Sequence, residues 1–178
     1  MLAEVMTAER SGARSGRQRG APGRGPGIGA STGAIRLTLP ADPDSVRAAL
    51  IRIATELVRA GIAEEDAATA ELVLAEVLNN VVEHAFCGCS EGRIEVTIAP
   101  EEADLACEVR NNGHPMPGGA LPAGVSPVCG QAPEALPEGG FGWFLIHSLT
   151  REIAYARDAG ANLLGLRIPL SARPCPRS

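Results

Sequence analysis

The sequence predicts an α+β fold: a two-layer α/β sandwich with a mixed sheet and three helices on one of its faces. Three observations lead to it. Apolar residues alternate with period two in five short segments and recur at helical spacing in three others. These segments follow one another as β-α-α-β-β-loop-α-β-β, and strands from two hairpins can join one sheet. The chain has 178 residues, of which 45% are hydrophobic, and a length of about 150 residues per domain gives one domain with one core.

Residues 1 to 33 are rich in Gly, Arg, Ser and Pro. Such a segment buries too little apolar surface to offset its ordering entropy, so a disordered tail is expected. The ordered domain is expected over 34–171, followed by a flexible C-terminus, 172–178. Its first strand is AIRLTLP, where Ile35, Leu37 and Leu39 share one face. Asp42-Pro43-Asp44-Ser45 is a helix start. Val46, Leu50, Ile53 and Leu57 follow at helical spacing until Gly61 stops the run. A second helix is predicted from about Ala63 to Ala85, with Glu64, Glu65 and Asp66 at the positive end of its dipole. Arg93–Pro100 and Asp104–Asn111 alternate as a hairpin. From Gly113 to Gly140 runs a long Pro- and Gly-rich loop, a length usual for functional or disordered segments. GWFLIHSLT, from Gly142, is an apolar helix, and Glu152–Arg157 with Asn162–Pro169 makes the last hairpin.

Composition excludes several classes. The net charge is −5. The first 33 residues carry five Arg against Glu4 and Glu9, so the rest of the chain carries an excess of eight negative charges. That argues against direct binding of nucleic acid or a membrane surface. All 16 basic residues are Arg, which removes a P-loop lysine, a Schiff-base lysine and the strand lysine of eukaryotic-type protein kinases. Aromatics are only 3%, too few for a base-stacking platform. No apolar run approaches the roughly 18 residues of a membrane span, and no secretory signal is visible, so a cytoplasmic protein is expected. The five cysteines are odd in number and scattered, as expected of free thiols in a reducing compartment. Cys87 and Cys89 follow His84, but their spacing is not that of a zinc site.

Three segments carry chemistry. In EVLNNVVEHAF, Glu76, Asn80 and His84 are spaced i, i+4, i+8 along one helix face. That face is either a solvated stripe or half of a magnesium–nucleotide site. In the second case Asn80 offers a neutral oxygen to a hard cation and Glu76 accepts a proton. In EVRNNGHPMP, at a strand end, Asn111 or Asn112 can hydrogen-bond a base edge, or both simply form an exit turn. In PEGGFGWFLIHSLT, Gly139, Gly140 and Gly142 precede or open a helix, where backbone N–H groups can approach phosphates. His84 and His147 are expected to be satisfied core histidines.

Taken together and in this order, the three segments resemble the motifs of the ATP-binding anti-sigma-factor serine/threonine kinases. These are a bacterial branch of the gyrase and histidine-kinase ATPase superfamily. ELVLAEVLNNVVEHAF is similar to that family's N-box, EVRNNGHPMP to its first Gly box, and EGGFGWFLIHSL to its second. The resemblance covers residues 35 to 170. It implies the Bergerat, or histidine-kinase-like, ATPase fold. ATP would bind between the N-box helix, the two Gly boxes and a mobile lid at Gly113–Glu138. It implies Mg2+ on Asn80, and Glu76 as the group that activates a protein hydroxyl. Gly139, Gly140, Phe141 and Gly142 would line the phosphates, and Gly113 would let the chain turn beneath the adenine. The implied partners are a sigma factor and an anti-anti-sigma (STAS-domain) protein that the kinase phosphorylates, with the kinase itself a homodimer.

Two positions depart from the pattern. The first Gly box normally supplies an Asp to the adenine amino group, and the aligned residue here is Asn111. Its oxygen can accept that bond but carries no charge, so nucleotide binding is expected to weaken by about 1–2 kcal/mol. Pro115 stands where some relatives have a second Gly. Two functions therefore stay open: a working kinase that also sequesters a sigma factor, and a catalytically weak module of the same fold that acts by competitive binding. A detached sensor histidine-kinase domain is a third reading, for which His84, His114 and His147 offer no recognisable acceptor helix.

Overall fold

A computed structural model of the chain describes residues 33–87, 92–124 and 140–171. Apart from Gly33, the expected tail and the C-terminal segment fall outside these residues.

The first strand, β1 (Ile35–Pro40), leads into α1 (Pro43–Arg59). Asp42 caps α1 by accepting the Ser45 backbone N–H at 2.9 Å, and that bond holds its carboxyl below the usual carboxylate range. Pro43, which has no N–H to leave unpaired, takes the first helical position. At the far end Gly61 adopts φ +85°. Its N–H reaches Val58 O while the Ile62 N–H reaches Leu57 O. This is a Schellman stop, closed by the buried pair Leu57 and Ile62. The second helix, α2 (Glu64–Asn80), is followed directly by a π-helical turn, Val81–Ala85. The expected helix to Ala85 is thus present in length, but its last turn is wider than α.

After α2 come β2 (Arg93–Pro100) and β3 (Asp104–Asn111), with the expected bounds. The third helix, α3 (Gly140–Leu149), begins two residues earlier than expected. β4 (Glu152–Asp158) and β5 (Ala161–Pro169) close the fold. Their tight turn puts Ala159 and Gly160 at positive φ, 46° and 84°, as a two-residue hairpin loop requires.

The strands lie in the order β1-β2-β3-β5-β4. Every neighbouring pair is antiparallel, where the sequence predicts a mixed sheet. The reason is the insertion of β5. β3 and β4 do run the same way, as a helical crossover dictates, but β5 lies between them and opposes both.

One sheet face is apolar: Ile94, Val96 and Ile98 of β2, Leu105, Cys107 and Val109 of β3, and Leu164, Leu166 and Ile168 of β5 are buried. Against it pack Ile53 and Leu57 of α1, Val73, Leu74, Val77 and Leu78 of α2, and Ile146 of α3. Asp66, placed by sequence in the first turn of α2, is itself buried. Its carboxylate accepts the Ser171 backbone N–H at 3.0 Å and the Ser171 hydroxyl at 2.8 Å, tying the exit of β5 to the start of α2. No helix among the described residues is long and apolar enough to cross a membrane.

Candidate nucleotide site

Two polar residues occupy inward positions on the apolar sheet face. The register sets Asn111 of β3 directly opposite Asn162 of β5, and both are buried. The Asn162 amide donates to Asn111 Oδ1 at 2.8 Å and to His114 O at 2.8 Å. Its own oxygen accepts the Tyr155 hydroxyl at 2.8 Å and the Arg157 guanidinium. Asn111 Oδ1 also takes the Gly113 N–H at 3.1 Å. Asn112 turns away from this network, and its oxygen accepts the Arg93 backbone N–H at 3.0 Å at the start of β2.

Above this pair lies a cavity of about 260 Å³. Val77, Val81, Ala85, Met116, Trp143 and Leu164 give it apolar walls, while Asn80, His84, Asn111 and Asn162 supply polar edges. A largely apolar cleft with a few convergent polar groups is the ordinary form of a small-molecule site.

At one end of the cavity α2 meets α3. A Cβ placed on Gly142 would lie 2.6 Å from Glu76 Oε2 and 3.7 Å from Asn80 Nδ2. Both side chains therefore converge on the first turn of α3, and only a glycine leaves the Glu76 carboxylate room where it stands. Asn80 Nδ2 is buried with no hydrogen-bond partner among the described residues, an orphan of the kind that a ligand completes.

The other sequence-selected residues divide. Gly113 lies where β3 leaves the sheet, and its need for glycine is close approach. A Cβ there would come within 2.4 Å of Ala85 O, and the same carbonyl accepts the His114 N–H at 2.8 Å. Gly140 opens α3. Phe141 is 51% exposed and does not line the cavity. Gly139 lies outside the described residues.

His84 and His147, expected in the core, are both exposed. His84 stands at the cavity rim. His147 Nε2 lies 3.0 Å from Pro122 O, and the ring blocks any side chain at Gly124. The described start of the expected lid is thus held against the domain. His114 N–H bonds Ala85 O, Met116 N–H bonds the Tyr155 hydroxyl at 3.2 Å, and Pro122 meets His147.

Sequence reading passed over Asn162, Tyr155 and Trp143. The signal for Asn162 was present. It shares a face with Leu164, Leu166 and Ile168, and a polar residue at an inward strand position needs a buried partner.

Comparison with known proteins identifies the family and the fold. The model of the histidine kinase-like ATPase domain matches residues 39–168. The serine-protein kinase RsbW of Listeria monocytogenes serotype 4a (strain HCC23) is 29% identical over 131 residues, covering 73% of this chain and 83% of that protein. The protein of the same name from Bacillus mycoides (strain KBAB4) is also 29% identical over 131 residues, covering 73% of this chain and 81% of its own length. The crystal structure of the RsbU and RsbW domains of Rv1364c from Mycobacterium tuberculosis superposes with a TM-score of 0.56 at 20% identity. The match covers 79% of this chain and 33% of that one, and bears on the fold alone. With most of its length matched and the cleft formed by the elements that carry its three motifs, this chain belongs to the histidine kinase-like ATPase domain family.

Proposed function

We propose that the chain is an ATP-dependent serine/threonine kinase of the anti-sigma class. It transfers the γ-phosphoryl group of ATP to a Ser or Thr of a STAS-domain anti-anti-sigma protein, and it sequesters a sigma factor from RNA polymerase. The working unit is a cytoplasmic homodimer, as the family resemblance implies. The observation that carries the reading is the convergence of Glu76 and Asn80 on Gly142 at the glycine-led start of α3. The names of the Listeria and Bacillus relatives, serine-protein kinases, support the same reaction class.

The apolar walls take the base, and the triphosphate runs towards α3. There the first-turn N–H groups, unshielded at Gly142, face the phosphates and the helix dipole favours their charge. Glu76 accepts the proton of the attacking hydroxyl as its oxygen bonds to the γ-phosphorus. The bond from that phosphorus to the bridging oxygen breaks, and ADP leaves.

The residues present fit Mg2+. An amide and a carboxylate on adjacent turns are hard oxygen donors, and an ion of this kind keeps most of its waters. Asn80 would hold it through Oδ1, and the Nδ2 group that the protein itself leaves orphaned would donate to a phosphate oxygen. When bound, Mg2+ neutralises phosphate charge, so the absence of lysine is no obstacle.

The test is phosphate transfer to Ser or Thr of the STAS-domain antagonist in the presence of Mg-ATP. Glu76→Ala, shown folded by circular dichroism, is expected to abolish it. An unaffected variant defeats the mechanism. The second reading, a catalytically weak module, has Asn111 in its favour, since both acceptor positions of its oxygen are already used. A wild-type chain that transfers nothing, yet lets sigma factor and antagonist compete for it, would select the module.

A further inference from the structure

We infer that the base end of the cavity is built to donate hydrogen bonds, so that it takes a 6-oxopurine nucleotide at least as readily as ATP. The inference rests on reading the cavity as the nucleotide site, and it names which purines that site selects.

Asn162 has one workable orientation. Its Nδ2 lies 2.8 Å from His114 O and 3.3 Å from Gly113 O, and its oxygen takes the Tyr155 hydroxyl and the Arg157 guanidinium. Reversing the amide would set oxygen against two carbonyls and an NH2 group against a cation, losing the bonds to His114 O, Gly113 O and Arg157. That choice fixes Asn111. The atom facing Asn162 Nδ2 at 2.8 Å and the Gly113 N–H at 3.1 Å must be the acceptor, Oδ1. Both lone-pair directions of that oxygen are then used. Asn111 lines the cavity, is 6% exposed, and its Nδ2 makes no hydrogen bond among the described residues. The group left to offer is an NH2 donor.

Adenine presents its own NH2 at position 6, and donor against donor is a mismatch. Adenine can meet Asn111 only through a ring nitrogen, which leaves its amino group without an acceptor there. A 6-oxopurine presents an acceptor oxygen at that position. An aspartate at residue 111 would keep one oxygen for Asn162 and Gly113 and turn the other, as a second acceptor, to the adenine amino group. Asn111→Asp therefore inverts the sign of the contact at nearly constant shape.

The experiment measures dissociation constants of Mg-ATP and Mg-ITP, which differ at position 6, for the full chain and for Asn111→Asp. Calorimetry is the primary readout. Fluorescence of Trp143, the sole tryptophan and part of the cavity wall, is the second. Wild type is expected to bind ITP as tightly as ATP or more tightly. Asn111→Asp is expected to move the ratio towards ATP by about tenfold or more, the scale of one buried hydrogen bond switched from mismatched to matched. A wild-type preference for ATP beyond twofold, or a ratio unmoved in the folded variant, overturns the inference and leaves the nucleotide site standing. So does a wild type that binds neither nucleotide while the variant binds ATP. If Asn111→Asp does not fold, the wild-type ratio decides alone. If neither protein binds either nucleotide at millimolar concentration, the nucleotide reading fails and takes the inference with it.

Discussion

Replacing Gly142 by alanine separates stability from function. The added Cβ would sit 2.6 Å from Glu76 Oε2, about 0.8 Å short of ordinary van der Waals contact. What must yield is the far end of a flexible side chain, so the fold loses little. Gly142 lies within α3 and its φ is not in the left-handed region. Alanine there gains up to about 1 kcal/mol of helix propensity, a rise of a few °C in Tm. The carboxylate, however, is displaced by nearly 1 Å, and a misplacement of that size at a reacting group costs about 100-fold in rate. Thermal unfolding followed by circular dichroism is therefore expected to show Tm unchanged or raised. The phosphoryl-transfer rate under saturating Mg-ATP is expected to fall by one to two orders of magnitude. A variant that melts no lower and transfers phosphate at the wild-type rate would refute the placement of Glu76 against the α3 tip.

Gly113→Ala should behave in the opposite way, because its Cβ would meet the backbone oxygen of Ala85 at 2.4 Å. Backbone cannot swing aside, so a loss of about 1–3 kcal/mol in urea denaturation is expected, and an unchanged midpoint would contradict the close packing of the β3 exit on the π turn. Burial pushes the Cys107 thiol up to about 12. Between the ordinary value near 9 and that value, the unfolded chain releases this proton while the folded chain holds it. Stability therefore falls as pH rises through this window, and Cys107→Ala should flatten that slope. At pH 8, peptide mapping after iodoacetamide should find Cys87, which is exposed, alkylated and Cys107 protected; equal labelling would contradict the burial.

Much of the fold could be read from periodicity, since the inward positions from Ile94 to Ile98 of β2 and from Leu105 to Val109 of β3 are all Ile, Val, Leu or Cys. Capping chemistry marked α1 at both ends, through Asp42-Pro43 and Gly61. Strand direction was less accessible: hairpins are local, but the slot that β5 takes between β3 and β4 is decided by packing across the whole sheet. The π turn after Asn80 was also hidden, because its residues, VVEHA, carry the same apolar spacing as a continuing α-helix. For the site, the i, i+4 pair Glu76 and Asn80 and the glycines of α3 were visible as motifs, while their meeting across two helices is a tertiary fact. The histidines misled because an apolar neighbourhood in sequence does not fix which side of a helix faces out. His147 lies on the outer side of α3, where it meets Pro122. Asn162 shows the reverse case, a single polar residue whose partner, Asn111, is 51 positions away.

The most direct measurement is a calorimetric titration of Mg-ATP into wild type and Asn80→Ala, each with and without magnesium. Wild type is expected to bind at micromolar concentration, and the binding to weaken sharply when the metal is chelated. The folded variant is expected to bind weakly, with no gain from magnesium. Equal, magnesium-dependent affinities in the two proteins would contradict the role given to Asn80, because the amide left orphaned between α2 and α3 would then have no part in holding the nucleotide.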